Sequence, residues 1–309
     1  MPCYSPLLGF KSRSTGGLTF RREESNGEEM TVACGGCLGC RDDRAKTWAM
    51  RIIHESQSHE ENCFITLTYN EESMPRLFTG GPGTLVKEDF QKFMKRLRKR
   101  FAPRKIRYYM CGEYGDQDQR PHYHACIFGL DFQGEEVFSV GPDHNVYTSN
   151  VLEETWGLGF VTVSALTLDT ANYCARYVLK KRTGPVAQDY YLRCDDYGVA
   201  YWLEAEYNSM SRRPGIGRDW YEKFKSDVFP SDEVPVPGSG VYKKVPRYYE
   251  TILKAEDALS YEEIKELRRV WRENHGEEYT PERNRAKYEC HKAKEKFRKE
   301  IRFVNGREV

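Results

Sequence analysis

Apolar side chains recur at helical spacing in three stretches of the chain. Their periodicity predicts helices from near Asp42 to about Ser56, over residues 85–100, and from Asp169 to about Lys181. The second of these has apolar side chains on one face and basic side chains on the other, and Pro103 ends it. Asp169 or Thr170 is available as the N-cap of the third, and Gly184-Pro185 ends it.

Strand-like runs alternate with these helices. They predict strands over residues 63–69, 105–114, 122–129 and 159–166. The turn-rich sequence G-D-Q-D-Q-R-P separates the second and third strands, which therefore form an antiparallel hairpin. This order of elements predicts an α+β fold with a central antiparallel sheet and flanking helices.

Three segments of different composition suggest the domain organisation. Residues 1–31 show little periodicity and are predicted to be loop or arm, and residues 231–240 have a linker-like composition. The charged segment beyond the linker predicts one or two surface helices. We expect a cysteine-rich segment with the first helix at 1–60, the main domain at 61–230, and a linker with a helical region at 231–309.

Composition points to a soluble intracellular protein. The 309 residues are 39% apolar, but they contain no membrane-length apolar run, and the first residues lack the features of a signal peptide. We therefore expect a cytoplasmic location. The net charge of +1 indicates little about partners. Ten cysteines in such a chain favour metal ligands and free thiols over disulfides.

The sequence H-Y-H-A-C-I-F places His122 and His124 on the same face of a predicted strand, because side chains in a strand alternate between faces. Two such imidazoles can be ordinary histidines or can bind one metal ion. Glu113, across the predicted hairpin, can add an oxygen ligand. This set would leave coordination positions open, which suits Mg²⁺ or Mn²⁺ acting as a Lewis acid.

Three cysteines lie close together in C-G-G-C-L-G-C, namely Cys34, Cys37 and Cys40. This spacing is typical of metal ligands, and unmetallated thiols are the alternative. The spacing lacks the fourth cysteine followed by proline of a bacterial ferredoxin cluster. A structural zinc needs four ligands, for which Cys3 is the best distant candidate, with His54 or Cys63 behind it.

The sequence N-Y-C-A-R-Y-V-L-K-K places Tyr173 and Tyr177 one helical turn apart, with Lys180 and Lys181 one turn further along. Such a tyrosine pair is often a packing stripe. Beside a metal ion, however, a phenol is a competent nucleophile for phosphoryl transfer, and a lysine can balance the charge of the transition state.

A basic run without carboxylates extends from Lys92 to Arg107. It predicts either a phosphate-contacting surface or a solvated helix face. The 21 tyrosines of the chain could also supply stacking platforms for unpaired bases. The residues predicted to contact DNA phosphates are Lys95, Arg96, Arg98, Lys99 and Arg100.

These motifs together resemble the HUH endonucleases that initiate rolling-circle replication, and within them the initiators of single-stranded DNA bacteriophages of the Microviridae, especially the gokushovirus group. The similarity covers about residues 1–225. Its motifs are F-I-T-L-T-Y, H-Y-H-A-C-I-F, Y-C-A-R-Y-V-L-K-K, C-G-G-C-L-G-C-R with R-A-K-T-W-A-M-R, and S-R-R-P-G-I-G.

The resemblance implies an antiparallel sheet with flanking helices and a metal bound by His122, His124 and a carboxylate, for which Glu113 fits by position. It implies single-stranded DNA at a replication origin as substrate, and a host replication helicase or polymerase as partner. The expected activity is nicking and rejoining through a 5′-phosphotyrosine. The alternative is a non-catalytic, zinc-containing nucleic-acid-binding protein. A histidine-triad hydrolase is disfavoured, because its third histidine position holds Cys126.

Overall fold

The computed structural model describes nine segments of the chain, and every structural statement below refers to them. They are residues 3–78, 81–115, 118–132, 136–140, 145–176, 185–194, 198–237, 242–275 and 280–304. The chain divides into two compact units, one formed by Met1–Arg44 with Asp257–Val309 and the other by Ala45–Glu256. Across the described segments, none of the helices combines the length and the apolar character needed to cross a membrane.

The strands and helices are numbered separately in chain order. The strands are β1 (Leu7–Ser12), β2 (Leu18–Thr19), β3 (Ser25–Val32), β4 (Asn62–Tyr69), β5 (Arg107–Tyr114), β6 (Pro121–Phe128), β7 (Glu136–Val140), β8 (Asn145–Thr148), β9 (Gly159–Ala165), β10 (Leu192–Cys194), β11 (Ala200–Trp202), β12 (Tyr207–Met210), β13 (Glu233–Pro235) and β14 (Tyr242–Lys244). The helices are α1 (Leu38–Ser56), α2 (Lys87–Arg100), α3 (Asn150–Trp156), α4 (Leu168–Arg176), α5 (Pro185–Tyr191), α6 (Arg218–Val228), α7 (Arg247–Glu256), α8 (Ala258–Asn274) and α9 (Pro281–Val304).

The larger unit is built on one antiparallel sheet. Within the described residues its strand order is β12-β5-β6-β4-β9-β8-β7, and every neighbouring pair is antiparallel. β5 and β6 form the predicted hairpin. The predicted α+β fold with a central antiparallel sheet and flanking helices is therefore confirmed, together with the N-terminal cysteine group and the C-terminal helices.

One face of this sheet packs against α2 and α3. The apolar side of α2, Phe90, Phe93, Met94 and Leu97, is buried there as predicted. The hydroxyl of Tyr123 fixes the start of the helix, because it donates to the carbonyl of Val86 at 2.8 Å and accepts from the Val86 N–H at 3.0 Å.

The opposite face packs against α1 and α4. Ile52 of α1 and Cys174 of α4 are buried against Phe64 of β4 and Cys126 of β6. Because side chains alternate along β6, the same face continues to His124 and then to His122 at the end of the strand. On this face α1 and α4 cover Phe64 and Cys126, and the two histidines lie nearer the start of β6.

A third apolar cluster lies beside α1 and joins α6 to α7. Trp220, Tyr221 and Tyr249 are buried in it, together with Val234 and Val236. The two valines belong to residues 231–240, so the described part of the predicted linker, residues 231–237, packs into this cluster. Val234 lies on β13, which pairs with β14 and places its apolar side chain in this cluster.

The N-terminal prediction also needs correction, since residues 7–32 form a three-stranded antiparallel sheet, β2-β1-β3, instead of loop or arm. Leu7, Leu8 and Met30 remain exposed in this sheet, and a small sheet with little buried apolar surface has a weak sequence periodicity. The S-T-G-G sequence forms the turn between β1 and β2.

Two helix starts differ from the prediction. α1 begins at Leu38, within the cysteine segment, instead of near Asp42. α4 begins at Leu168, and the hydroxyl of Thr167 accepts from the N–H of Thr170 at 3.2 Å, so neither Asp169 nor Thr170 is its N-cap. The described part of α4 ends at Arg176, and the remainder of the predicted helix lies outside the described residues.

Candidate functional site

Glu113 and the two histidines converge on one face of the sheet. Glu113 of β5 lies directly opposite His122 of β6 in the hairpin register. His124 lies two residues further along β6, beside Thr66 of β4. The hairpin thus brings together the three ligands that the sequence predicted.

The contacts among these three side chains are short. Nε2 of His122 and Nε2 of His124 each lie 2.9 Å from Oε1 of Glu113. One ligand atom from each residue can be chosen so that all three lie within 4.8 Å of one another. Glu113 and His124 are buried, and His122 is partly exposed, so the group is reached from the His122 side.

The local environment keeps Glu113 ionised. Burial alone would raise its pKa, but the hydrogen bonds to His122 and His124 and the charges of the same imidazoles outweigh burial and hold the pKa of Glu113 below its usual value. A buried carboxylate beside two imidazoles is a ready-made cation site.

The contact of His122 with a main-chain carbonyl tests whether this group fits a metal ion. Nδ1 of His122 lies 3.0 Å from the carbonyl oxygen of Arg120, which can only accept, so Nδ1 carries a proton. Nε2 then faces Glu113 Oε1 with its lone pair unless a second proton is bound. A cation, either a proton or a metal ion, is therefore needed between Nε2 of His122 and Oε1 of Glu113.

The ligand set and its spacing are compatible with a metal ion. A carbonyl that fixes Nδ1–H is the usual support of a metal-binding histidine. Adjacent octahedral ligands at about 2.1 Å from Mg²⁺ lie about 3.0 Å apart, and the two imidazole nitrogens lie 2.9 Å from the carboxylate oxygen. The side chains of Glu113, His122 and His124 therefore fit a divalent cation.

Tyr173 lies over this group. Its hydroxyl donates to Glu113 Oε1 at 3.5 Å, and its ring meets that of His124 edge to face, with centroids 4.9 Å apart. α4 holds it there because Ala171 and Cys174, on the buried side of the helix, pack onto the sheet. The site therefore combines a phenol with the three candidate ligands.

The other predicted catalytic residues cannot be placed. Tyr177, Lys180 and Lys181 all follow Arg176 and lie outside the described residues.

Comparison with known proteins gives three similar phage proteins. The replication-associated protein VP4 of Bdellovibrio phage phiMH2K is 32% identical over 263 residues, which cover 81% of this chain and 76% of VP4. The replication-associated protein ORF2 of Spiroplasma virus 4 is 34% identical over 247 residues, covering 77% of this chain and 73% of ORF2. The replication-associated protein ORF4 of Chlamydia phage 1 is 28% identical over 232 residues, covering 72% and 53%.

A family model described as "Replication-associated protein ORF2/G2P" matches residues 62–182. The chain belongs to this family. The resemblance to the phage replication proteins is thereby confirmed. The matched segment contains Glu113, both histidines, both tyrosines and both lysines of the predicted site. No solved structure matches the chain.

The structure also brings the N-terminal cysteines together. Sγ of Cys37 lies 4.0 Å from that of Cys3, and Sγ of Cys34 lies 4.0 Å from that of Cys40. Sulfurs bound to zinc at about 2.3 Å in a tetrahedron lie about 3.8 Å apart, and these four lie within 4.8 Å of one another. The structure thus gathers Cys3 with the other three, whereas the lesser candidate His54 stacks on Trp220.

Main-chain N–H groups support these sulfurs. Burial raises the pKa of the Cys37 thiol, but backbone hydrogen bonds from Cys40 and Tyr4 outweigh it and lower the pKa to about 6. The N–H of Cys34 points to Cys3 Sγ at 3.3 Å, and that of Tyr4 to Cys37 Sγ at 3.4 Å. Such donors favour the thiolate, which is the form that binds metal, but at Cys3 burial outweighs them and raises the pKa of the thiol.

Sequence reasoning missed a link between this cluster and the C-terminal helix. The Tyr4 hydroxyl and Nδ1 of His291, on α9, are 2.7 Å apart. The Tyr4 ring also meets that of Tyr288 edge to face at 5.6 Å. No local pattern connects residues separated by so much sequence, so only the folded structure reveals this contact.

The basic helix α2 lies on the sheet face opposite the histidines. Arg96 donates to the carbonyls of Thr155 and Trp156 at 2.8 and 2.7 Å, and Arg98 donates to the carbonyl of Ile106. These guanidinium groups hold α2 to neighbouring elements. The remaining predicted DNA contacts are Lys95 and Lys99, which are exposed, and Arg100, which pairs with Glu154 at 2.9 Å.

Proposed function

We propose that this chain initiates rolling-circle replication by nicking and rejoining single-stranded DNA at an origin through a tyrosine. The names of the three similar phage proteins, all replication-associated proteins, support a role in replication. One observation carries the proposed chemistry: the Tyr173 hydroxyl lies 3.5 Å from the carboxylate oxygen that contacts both His122 and His124.

In the proposed reaction the phenolic oxygen of Tyr173 attacks the scissile phosphorus. A bond forms between this oxygen and phosphorus, and the bond from phosphorus to the 3′ oxygen breaks. The departing 3′ oxygen takes up a proton, the phenol loses one, and the 5′ phosphate remains on the tyrosine. The phosphotyrosine keeps the energy of the broken phosphodiester, so a free 3′ hydroxyl can reverse the step and rejoin the strand.

Glu113, His122 and His124 are the side chains proposed to hold Mg²⁺ or Mn²⁺. When bound there, the ion supplies Lewis-acid polarisation of the scissile phosphate. Glu113 Oε1 also accepts the hydrogen bond of the Tyr173 hydroxyl and so orients the phenolic oxygen toward the same place.

Tyr177 is proposed as a second nucleophile. Two tyrosines suit a cycle in which one stays joined to the 5′ end while the other cleaves the regenerated origin and frees a circle. Lys180 or Lys181 is proposed to balance the negative charge of the transition state.

The four gathered cysteines, Cys3, Cys34, Cys37 and Cys40, are proposed to bind a structural zinc ion. Their sulfur spacing and the main-chain N–H donors support this assignment. A closed four-sulfur site leaves no position for substrate, so the zinc would stabilise the fold of the N-terminal segment.

The proposed setting is the cytoplasm of a bacterial host, where the origin DNA is the substrate. A host replication helicase or polymerase is the proposed protein partner.

The decisive test is a covalent adduct with DNA. Labelled oligonucleotides that tile the genome encoding this chain are incubated with the protein, with Mn²⁺ or with a chelator, and then boiled in detergent. We expect a labelled protein band that needs Mn²⁺. Tyr173→Phe and Tyr177→Phe should each leave some adduct, and the double variant none, while Tyr190→Phe serves as the matched control.

The metal ligands have a separate readout. His122→Ala and His124→Ala should abolish nicking and leave much of the non-specific DNA binding, which depends on phosphate contacts. Adduct that persists in the double tyrosine variant would refute the nucleophile, and full nicking by either histidine variant would refute the metal site. DNA binding without any adduct or nicking would favour the non-catalytic alternative.

A further inference from the structure

An exposed phenylalanine lies in the same cross-strand row as the candidate site. Phe160 of β9 lies opposite Thr68 of β4, Thr68 lies opposite His122 of β6, and His122 lies opposite Glu113 of β5. Directly paired residues share a sheet face, so all four side chains are on the face that carries Tyr173. Two inter-strand spacings, about 10 Å, separate Phe160 from His122.

Phe160 is not among the buried residues of any of the three apolar clusters. Its neighbours Val161 and Val163 point to the opposite face and are buried there, whereas Phe160 is 62% exposed. Phe64, on the same face but further along the strands, is buried under α1 and α4. The Phe160 end of the row is therefore open to solvent, whereas Glu113 at its other end is buried beside Tyr173 of α4.

The backbone around Phe160 is built to hold it beside β4. Gly159 has a φ of +146°, and a Cβ there would lie 2.2 Å from the main-chain nitrogen of Asn70, so glycine alone allows this close approach. Asn70 donates to the carbonyl of Leu158 at 3.0 Å, and the Trp156 indole donates to that of Thr68 at 3.1 Å. These contacts fix the position of the Phe160 backbone.

We infer that Phe160 is a stacking platform for an unpaired base of the single-stranded DNA, next to the phosphate that Tyr173 attacks. This inference rests on the proposed function. The exposed ring lies near enough to the site for a nucleotide adjoining the scissile phosphate, and the partly exposed hydroxyls of Thr68 and Thr162 lie on the same face to hydrogen-bond it. Base stacking on an aromatic ring accepts any base, so Phe160 positions the strand without reading its sequence.

The test compares Phe160 with an equally exposed phenylalanine on the same sheet. Phe138, which is 67% exposed, lies on the edge strand β7, separated from β4 by β9 and β8. Binding of fluorescein-labelled oligothymidylate is measured for wild type, Phe160→Ala, Phe160→Trp and Phe138→Ala. Oligothymidylate carrying 5-iodouracil is then photocrosslinked to the wild-type protein, and the adduct is located by mass spectrometry.

Loss of one stacked base should weaken binding by Phe160→Ala roughly 5- to 100-fold. Phe160→Trp should bind at least as well as wild type, Phe138→Ala should stay within about twofold of it, and the crosslink should map to Phe160. Binding by Phe160→Ala equal to that of Phe138→Ala, or a crosslink confined to residues on the opposite face, would overturn the inference.

These binding readouts need no cleavage and no origin sequence, so they separate the inference from the proposed function. Weakened binding by Phe160→Ala in a protein that forms no tyrosine adduct would support the stacking platform and refute the nuclease. Normal binding by Phe160→Ala in a protein that does form the adduct would refute the stacking platform and support the nuclease.

Discussion

A buried histidine outside the candidate site should make the fold sensitive to acid. His54 of α1 is fully buried, its ring stacks on that of Trp220 with centroids 3.5 Å apart, and its Nδ1 lies 2.9 Å from the Tyr249 hydroxyl. Burial lowers its pKa to about 3. The third apolar cluster is therefore built around a neutral imidazole.

The direction of the pH dependence follows from where this imidazole takes up its proton. In the unfolded chain it protonates below about pH 6.5, whereas in the folded protein it stays neutral until about pH 3. Acid therefore favours the unfolded chain, and stability is lost as the pH falls from 6.5 toward 3. Between pH 7 and pH 5 the loss from His54 alone should be about 2 kcal/mol of the free energy of unfolding.

The assay is urea unfolding at pH 7 and pH 5, followed by circular dichroism. His54→Phe keeps an aromatic ring for stacking but removes the titrating group. The substitution should lower the free energy of unfolding by about 1–3 kcal/mol at pH 7, because the buried Tyr249 hydroxyl loses its partner. Between pH 7 and pH 5 the variant should lose about 2 kcal/mol less of this free energy than wild type does. Replacing the exposed His275 with Gln controls for an ordinary histidine. If wild type and His54→Phe lose the same free energy of unfolding between pH 7 and pH 5, the assigned role of His54 is refuted.

Two further predictions concern the cysteine cluster and the basic helix. Cys37→Ser should lower the zinc content of purified protein and make α9 more sensitive to protease. The exposed Cys290, changed to Ser as the control, should do neither. Purified protein that contains no zinc and keeps its stability on chelation would refute the proposed zinc site. Changing Lys95 and Lys99 together to Gln should reduce the salt dependence of DNA binding by about two units of slope. An unchanged slope would identify a solvated face.

The sequence predicted those parts of the site that depend on short-range order. The period of two within β6 places both histidines on one face, and a hairpin pairs Glu113 with His122 over a separation of only nine residues. The inward face of α2 likewise follows from helical spacing. These features need no knowledge of how distant segments pack.

The position of Tyr173 could be predicted only in part. Helical spacing places Tyr173 and Tyr177 on the same side of a helix, which a packing stripe would also do. The contact of Tyr173 with Glu113 depends on Ala171 and Cys174 settling against the sheet, which is long-range packing. A chain pattern alone therefore proposes the nucleophile, but the fold decides which atoms it meets.

Helix packing on the sheet also explains why the sequence does not single out Phe160. The alternation in G-F-V-T-V-S-A shows that Phe160 and Val161 face opposite ways. It does not show which face is covered. That depends on α2 and α3 packing on one side, and on α1 and α4 covering Phe64 on the other side while leaving Phe160 exposed.

α2 and the candidate site lie on opposite faces of the sheet, which restricts how one DNA strand can contact both. Lys95 and Lys99 project from a helix packed on one face of the sheet, whereas Tyr173 and Phe160 are on the other. A strand bound at Tyr173 can reach those lysines only by passing around an edge of the sheet. Phosphates contacted by α2 would therefore belong to nucleotides distant from the scissile phosphate. Neutralising the lysines should then weaken binding of long oligonucleotides more than that of short ones.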